Sequence, residues 1–274
     1  MSKLAKRVVV GAILGVVVGI ALFVHPIAVF IISLIWITFA TNEFLRMLEI
    51  KQIFINRFLM IGLNLLFPVM FYFGGGITLY LILPVVLFLY ALIKRDKYYL
   101  VVPFGLFLLF YLGFLPAHLL FLKKLVWAQN FSLFRSFFIV FFPLIFTWVN
   151  DTAAYFIGST IGRHKLATKI SPNKTIEGFI GSILVSIIFS LIYLRTLFPA
   201  VTILTSVIMG LILSAAAQLG DLAESGFKRD VELKDSSKIF GEHGGFLDRI
   251  DSLLFTIPVF YYFLLYFAKI SGLR

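Results

Sequence analysis

From Gly220 to Ser252 the chain reads GDLAESGFKRDVELKDSSKIFGEHGGFLDRIDS, preceded by VTILTSVIMGLILSAAAQL (201–219) and followed by LLFTIPVFYYFLLYFAKI (253–270). Each flanking run is near the roughly 20 mostly apolar residues that a membrane-crossing helix needs. The polar insert therefore lies between two helices at the edge of a bilayer. A carboxylate beside hydrocarbon is expensive unless it is paired, hydrated or bound to a cation, so a cluster of them there is a functional site by default. Ten of the 13 acidic residues fall between Asp151 and Asp251, and only Glu43, Glu49 and Asp96 precede them.

Moving outward, the same apolar length recurs along the chain. About nine spans are expected, near 8–24, 27–42, 58–73, 76–93, 99–121, 136–157, 176–195, 200–227 and 252–270. His25-Pro26 and Gly74-Gly75-Gly76 read as tight turns, and Asn42 to Arg57 and Lys94 to Lys97 as polar loops. The fold class is all-α, a polytopic integral membrane protein. Residues 1–135 form a scaffold of about five helices, and residues 136–274 form the catalytic region with its two polar loops.

Composition supports this. With 61% hydrophobic and only 14% charged residues, the chain lies outside the range of soluble globular domains. The absence of cysteine excludes disulfides, thiolate metal sites and a cysteine nucleophile, so any metal is held by oxygen or imidazole. The net charge of +11 comes from short basic blocks between apolar runs, a pattern of membrane topology rather than of nucleic-acid binding. Val8 to Val24 is too long for a signal-peptide core and no small-residue cleavage site follows it, so it reads as a retained first helix.

With the N-terminus in the cytoplasm, Lys123, Lys124, Arg135, Arg195, Lys269 and Arg274 fall outside and the other 18 of the 24 basic residues inside. That bias fixes orientation under the positive-inside rule. It places both polar loops, Gly158 to Thr175 and Lys228 to Asp251, in the compartment that holds nucleotides.

Two constellations carry chemistry. In Asn150–Gly178, Arg163, Lys165, Lys169 and Lys174 stand among glycines and hydroxyls, suited to phosphate. Ser171 is expected to cap a helix beginning at Pro172. In the second, a continuous helix would place Asp221, Glu224, Ser225 and Lys228 on one face, while Asp248 and Asp251 lie three apart at the start of the last span. Such carboxylates could hold Mg²⁺ together with water and phosphate oxygens. His25 and His118 read as interfacial residues, and His164 as a phosphate or headgroup contact.

At these residues the chain resembles the CDP-diacylglycerol synthase (phosphatidate cytidylyltransferase) family. Its long signature S-x-[apolar]-K-R-x4-K-D, spacer, H-G-G-[apolar]-x-D-R-[apolar]-D is matched at Ser225, Lys228, Arg229, Lys234, Asp235, His243, Gly244, Gly245, Asp248, Arg249 and Asp251. The upstream elements D-T-x-A-Y-x-x-G and I-S-P-x-K-T-x-E-G are matched from Asp151 to Gly158 and from Ile170 to Gly178. Ser159 and Thr168 depart from the family, where a basic residue and proline are common.

The resemblance implies transfer of the cytidylyl group of CTP to phosphatidic acid, giving CDP-diacylglycerol and pyrophosphate in phospholipid biosynthesis, with Mg²⁺. It implies Asp221, Asp248, Lys228 and Arg229 as catalytic residues and Asp221, Asp248, Asp251 and Asp151 as metal ligands. Lys174, Ser171, Thr175, Glu177, Ser225, Lys234, Asp235, His243, Gly244, Gly245 and Arg249 would bind substrate. A second, monovalent cation sharing the acidic cluster and a homodimer are further open expectations. The location implied is the cell membrane, multi-pass, with the active site facing the cytoplasm. The alternatives are a CTP-dependent polyprenol or dolichol kinase and an ion-coupled transporter.

Overall fold

The computed structural model describes residues 3–74, 77–94, 97–241 and 244–270. Gly75 and Gly76 of the expected glycine turn, Arg95 and Asp96 of the expected polar loop, and His243 lie outside the described residues. The elements in chain order are α1 (Lys3–Phe23), α2 (Pro26–Ile50), α3 (Arg57–Tyr72), α4 (Ile77–Lys94), α5 (Tyr98–Leu108), α6 (Leu115–Trp127), α7 (Leu133–Ile161), β1 (Lys165–Ala167), β2 (Ser171–Thr175), α8 (Ile176–Leu197), α9 (Ile203–Asp230) and α10 (Leu253–Ile270). A π-helical turn, Leu109–Phe114, joins α5 to α6 without a break.

Among the described residues, the stretches expected to span the membrane are largely helical. Five segments among the described residues are long and apolar enough to cross a bilayer: Pro26–Ile50, Tyr98–Trp127, Leu133–Ile161, Ile176–Leu197 and Ile203–Asp230. Shorter apolar helices occupy Ile13–Phe23, Arg57–Tyr72, Leu81–Lys94 and Leu253–Tyr266. The helix starts are written locally. His25 Nδ1 accepts from the Ile27 amide ahead of Pro26, and Asn56, Ser132 and Thr202 side chains accept from the first-turn amides of α3, α7 and α9.

The burial pattern identifies the solvent as lipid. On α8, Ile180, Leu184, Ile188 and Ile192 are 52, 58, 59 and 64% exposed, while Ser182, Ser186 and Ser190 on the other face are 0% exposed. In water the two faces would be exchanged; in hydrocarbon, small polar residues pack inward and aliphatic ones face the chains.

Several boundaries differ from expectation: α7 runs through Gly158 to Ile161 and α9 through Lys228 to Asp230. The helix over 27–42 does not end at Asn42 but runs on to Ile50, because apolar residues keep recurring on its buried face at Phe44, Leu45, Met47 and Leu48. Ser171 and Pro172 do not open a helix. They belong to β2, which pairs antiparallel with β1, and α8 begins at Ile176 with the Thr175 hydroxyl accepting from the Gly178 amide. Asp248 and Asp251 do not share the start of the last helix, since Asp248 sits in a 3-10 turn, Leu247–Arg249, and Asp251 in the turn before α10.

The chain divides into two compact units, Met1–Lys124 with Asp235–Arg249, and Leu125–Lys234 with Ile250–Arg274. In the first, α2 packs on α1, α3 and the π-helical turn, and Asn64 donates to the Thr41 hydroxyl at 2.9 Å in the buried α2–α3 contact. In the second, α8 packs between α7 and α9, and α10 packs on α9 and α7.

Several basic residues of the expected outer face have structural work. Lys123 Nζ donates to the Leu22 carbonyl at 2.5 Å, and Lys124 Nζ to the Tyr72 carbonyl at 2.9 Å, closing the last turns of α1 and α3. Arg135 Nη2 donates to the Leu197 carbonyl at 2.8 Å, at the end of α8. Each places a cation where unpaired carbonyls and the helix dipole favour one. His118 is fully buried rather than interfacial, with Nδ1 2.9 Å from the Phe114 carbonyl.

Candidate active site

In the second unit α9 stays helical to Asp230, which sets Asp221, Glu224, Ser225 and Lys228 on one face as the spacing requires. Lys228 and Glu224 form a buried ion pair one helical turn apart. The Ser225 hydroxyl donates to Asp221 Oδ1 at 3.2 Å, and Lys174 Nζ lies 2.8 Å from Asp221 Oδ2. Lys174 also donates to Gln218 Oε1 at 3.3 Å, and the Gln218 amide to the Ser182 hydroxyl at 3.4 Å.

From α7, the Asn150 amide donates to Asp151 Oδ1 at 3.3 Å, while Asn150 Oδ1 accepts from the Ser186 and Ser214 hydroxyls at 3.2 and 2.6 Å. This buried amide ties α7, α8 and α9 together just below the carboxylates. The turn before α10 brings Asp251 to the same place. Gly220 allows the approach, because a Cβ there would stand 2.5 Å from the Asp251 carbonyl oxygen and 2.9 Å from Ser252 Cα. Burial pushes the Asp251 carboxyl up to about 7, and the negative charges of Asp221 and Asp151 add to the effect. Its Oδ1 accepts from the Ser252 amide, and the Lys228 charge pulls the other way.

Asp151, Asp221 and Asp251 thus lie close enough to feel one another's charge, with Lys174 and Lys228 as counter-charges. Among the described residues, no group of three or more Asp, Glu or His side chains closes tightly enough to hold a metal ion by itself. The donor set fits a hard cation that completes its shell with water and phosphate oxygens, as Mg²⁺ does with one or two carboxylates.

Other expected residues have local partners. Glu177 accepts from the Arg163 and His164 amides at 3.0 and 3.2 Å, and its Oε1 lies 2.6 Å from His164 Nδ1, fixing the entry to the β1–β2 hairpin. Thr175 caps α8. Arg229 donates to the Leu233 and Ile170 carbonyls at 2.6 and 3.2 Å, which ties the end of α9 to the hairpin. Ser171 is half-buried in β2, and Lys234, Asp235 and Arg249 stand exposed.

In the first unit the signature loop has an anchor that the sequence reading missed. Glu43, in α2 and 0% exposed, accepts hydrogen bonds from the Ser236 and Ser237 hydroxyls at 2.9 and 2.6 Å. It also accepts from the Phe246 and Leu247 amides at 3.0 and 2.9 Å. Asp248 Oδ2 accepts from the Ser236 and Gly245 amides at 2.9 and 2.7 Å and lies 2.8 Å from the Ser236 hydroxyl. The paired glycines follow from this. Gly244 has φ +77°, and a Cβ there would strike Asp248, while a Cβ at Gly245 would strike Glu43 and Ser236. The available signal was one carboxylate on the continuing apolar period of α2.

The profile of the cytidylyltransferase family matches residues 5–267. Among similar proteins, the phosphatidate cytidylyltransferase of Staphylococcus saprophyticus is 44% identical over 120 residues, which is 44% of this chain and 46% of that protein. That of Bacillus subtilis is 40% identical over 129 residues (47% of this chain, 48% of that protein), and that of Staphylococcus aureus strain COL is 48% identical over 122 residues (44% and 46%). The chain thus spans about half the length of the curated relatives it matches. With a profile match over nearly all of its residues, the chain belongs to the cytidylyltransferase family.

Proposed function

We propose that the chain transfers the cytidylyl group of CTP to phosphatidic acid. An oxygen of the phosphatidate monoester forms a bond to the α-phosphorus of CTP, the α–β anhydride bond breaks, and pyrophosphate leaves with that bond's electrons. The attacking oxygen is already ionised near neutral pH, so no strong general base is needed. Catalysis reduces to positioning and to neutralising charge.

The observation that carries this reading is the grouping of Asp151, Asp221 and Asp251 with Lys174 and Lys228, in a chain of the cytidylyltransferase family. Asp221 and Asp251 would hold Mg²⁺, with Asp151 nearby. When bound, the ion supplies charge neutralisation and a template for phosphate oxygens. Lys174 and Lys228 offset the triphosphate and the leaving pyrophosphate. For Asp248, the metal role expected from the signature is tested separately by Asp248→Asn. The buried Asn150–Ser186–Ser214 contacts hold the carboxylate-bearing helices in register.

In the same reading the chain is a multi-pass protein of the cell membrane, with its N-terminus and polar loops in the cytoplasm. The excess of basic residues on those loops supports this orientation. Reporter fusions at the chain ends and in the Gly158–Thr175 loop test it. The reaction is tested by supplying CTP, phosphatidate and Mg²⁺ and identifying the products. CDP with a phosphorylated alcohol would instead indicate a lipid kinase, and solute uptake into proteoliposomes a transporter.

A further inference from the structure

We propose that Glu43 is a positioning residue for the nucleotide-transfer reaction, a clamp on α2 that sets the conformation of the described residues of the signature segment, 236–241 and 244–249. The catalytic half of this proposal rests on the cytidylyl transfer put forward above. The clamp itself rests on geometry alone.

The four bonds to Glu43 fill the four acceptor positions of a carboxylate, and all four donors come from that one segment. A buried carboxylate satisfied in this way loses its partners together if the segment moves, so Ser236, Ser237, Phe246 and Leu247 are held together. The same helix face adds two contacts. Trp36 Nε1 donates to the Phe246 carbonyl at 3.0 Å, and the Phe39 ring stacks on that of Phe246 at 4.5 Å. Trp36, Phe39 and Glu43 lie three and four residues apart on α2 and grip one loop.

The clamp reaches the signature carboxylate through shared partners. Ser236 contacts both Glu43 and Asp248, and the Gly245 amide donates to Asp248 while its Cα lies against Glu43. Replacing Glu43 with an isosteric amide puts an NH₂ group against amide and hydroxyl donors, which favours a displaced loop.

The test uses the full-length protein in detergent. Lys238 is exposed within the clamped segment, so tryptic cleavage after it reports loop release. Glu43→Gln is expected to raise that cleavage rate, and the KM for CTP, by about tenfold or more, with the unfolding temperature of the helical body near that of wild type. Ser237→Ala removes one donor and is expected to move both readouts by roughly threefold, which keeps the test available if Glu43→Gln fails to fold. Wild-type cleavage at Lys238 in either variant would overturn the clamp. Faster cleavage with an unchanged KM for CTP would overturn its catalytic role. A wild-type protein with no cytidylyl transfer would instead count against the reaction, leaving the cleavage result to decide the clamp.

Discussion

Lys174 Nζ sits 2.8 Å from Asp221 Oδ2, so a lysine delivered by a two-stranded hairpin neutralises a carboxylate on the membrane helix α9. The lysine side chain is 20% exposed and the aspartate 32%, which leaves the pair reachable by a charged substrate. In the proposed reaction Lys174 would turn from Asp221 to phosphate oxygens, and the carboxylate would then be available to hold a cation.

Removing a ligand should abolish turnover. Asp221→Asn and Asp251→Asn are each expected to lower the rate by a thousandfold or more, equivalent to about 4 kcal/mol of transition-state stabilisation. Lys174→Gln is expected to be milder, about tenfold to a hundredfold, expressed in both kcat and the KM for CTP. Single-turnover assays in mixed micelles measure all three.

Metal affinity should rise with pH. Without a cation, Asp251 is held protonated until about pH 7, above the ordinary range of a carboxyl. Binding Mg²⁺ requires the ionised form and so releases a proton. Below pH 7 the apparent affinity should therefore fall by about tenfold per unit, and above it level off. Titration calorimetry in two buffers of different ionisation enthalpy measures the proton released, and Asp251→Asn should remove that release.

The buried Glu224–Lys228 pair should matter for stability. Both residues are buried, so Lys228→Met alone removes the counter-charge of a buried carboxylate and is expected to destabilise by about 3–5 kcal/mol. The double variant Glu224→Gln/Lys228→Met should recover much of that loss. Thermal unfolding in detergent, followed by circular dichroism, distinguishes the two.

Gly220→Ala should separate packing from chemistry. The added methyl meets the Asp251 carbonyl and Ser252, which are backbone atoms that cannot swing aside. The expected result is a loss of about 1–3 kcal/mol in stability and a raised Mg²⁺ requirement, although no charged group is altered. Stability and Mg²⁺ dependence measured on the same preparation check this.

Much of this was legible in the sequence because membrane helices are long and their apolar runs are hard to mistake. The face bearing Asp221, Glu224, Ser225 and Lys228 followed from helical spacing alone. The hairpin from Lys165 to Thr175 did not, since its short strands lack alternation and Pro172 suggests a helix start. Glu43 was missed for a different reason. One acidic residue at the end of an apolar run looks like the start of a loop, and its donors lie about 200 residues away in sequence. A pairing over that distance leaves no local periodic trace.

The most direct measurement of the central claim is product analysis after incubating the purified protein with labelled CTP, phosphatidic acid and Mg²⁺. The account predicts CDP-diacylglycerol and pyrophosphate in equal amounts, abolished by Asp221→Asn. Release of CDP with phosphorylation of a lipid alcohol, or full activity in Asp221→Asn, would contradict it.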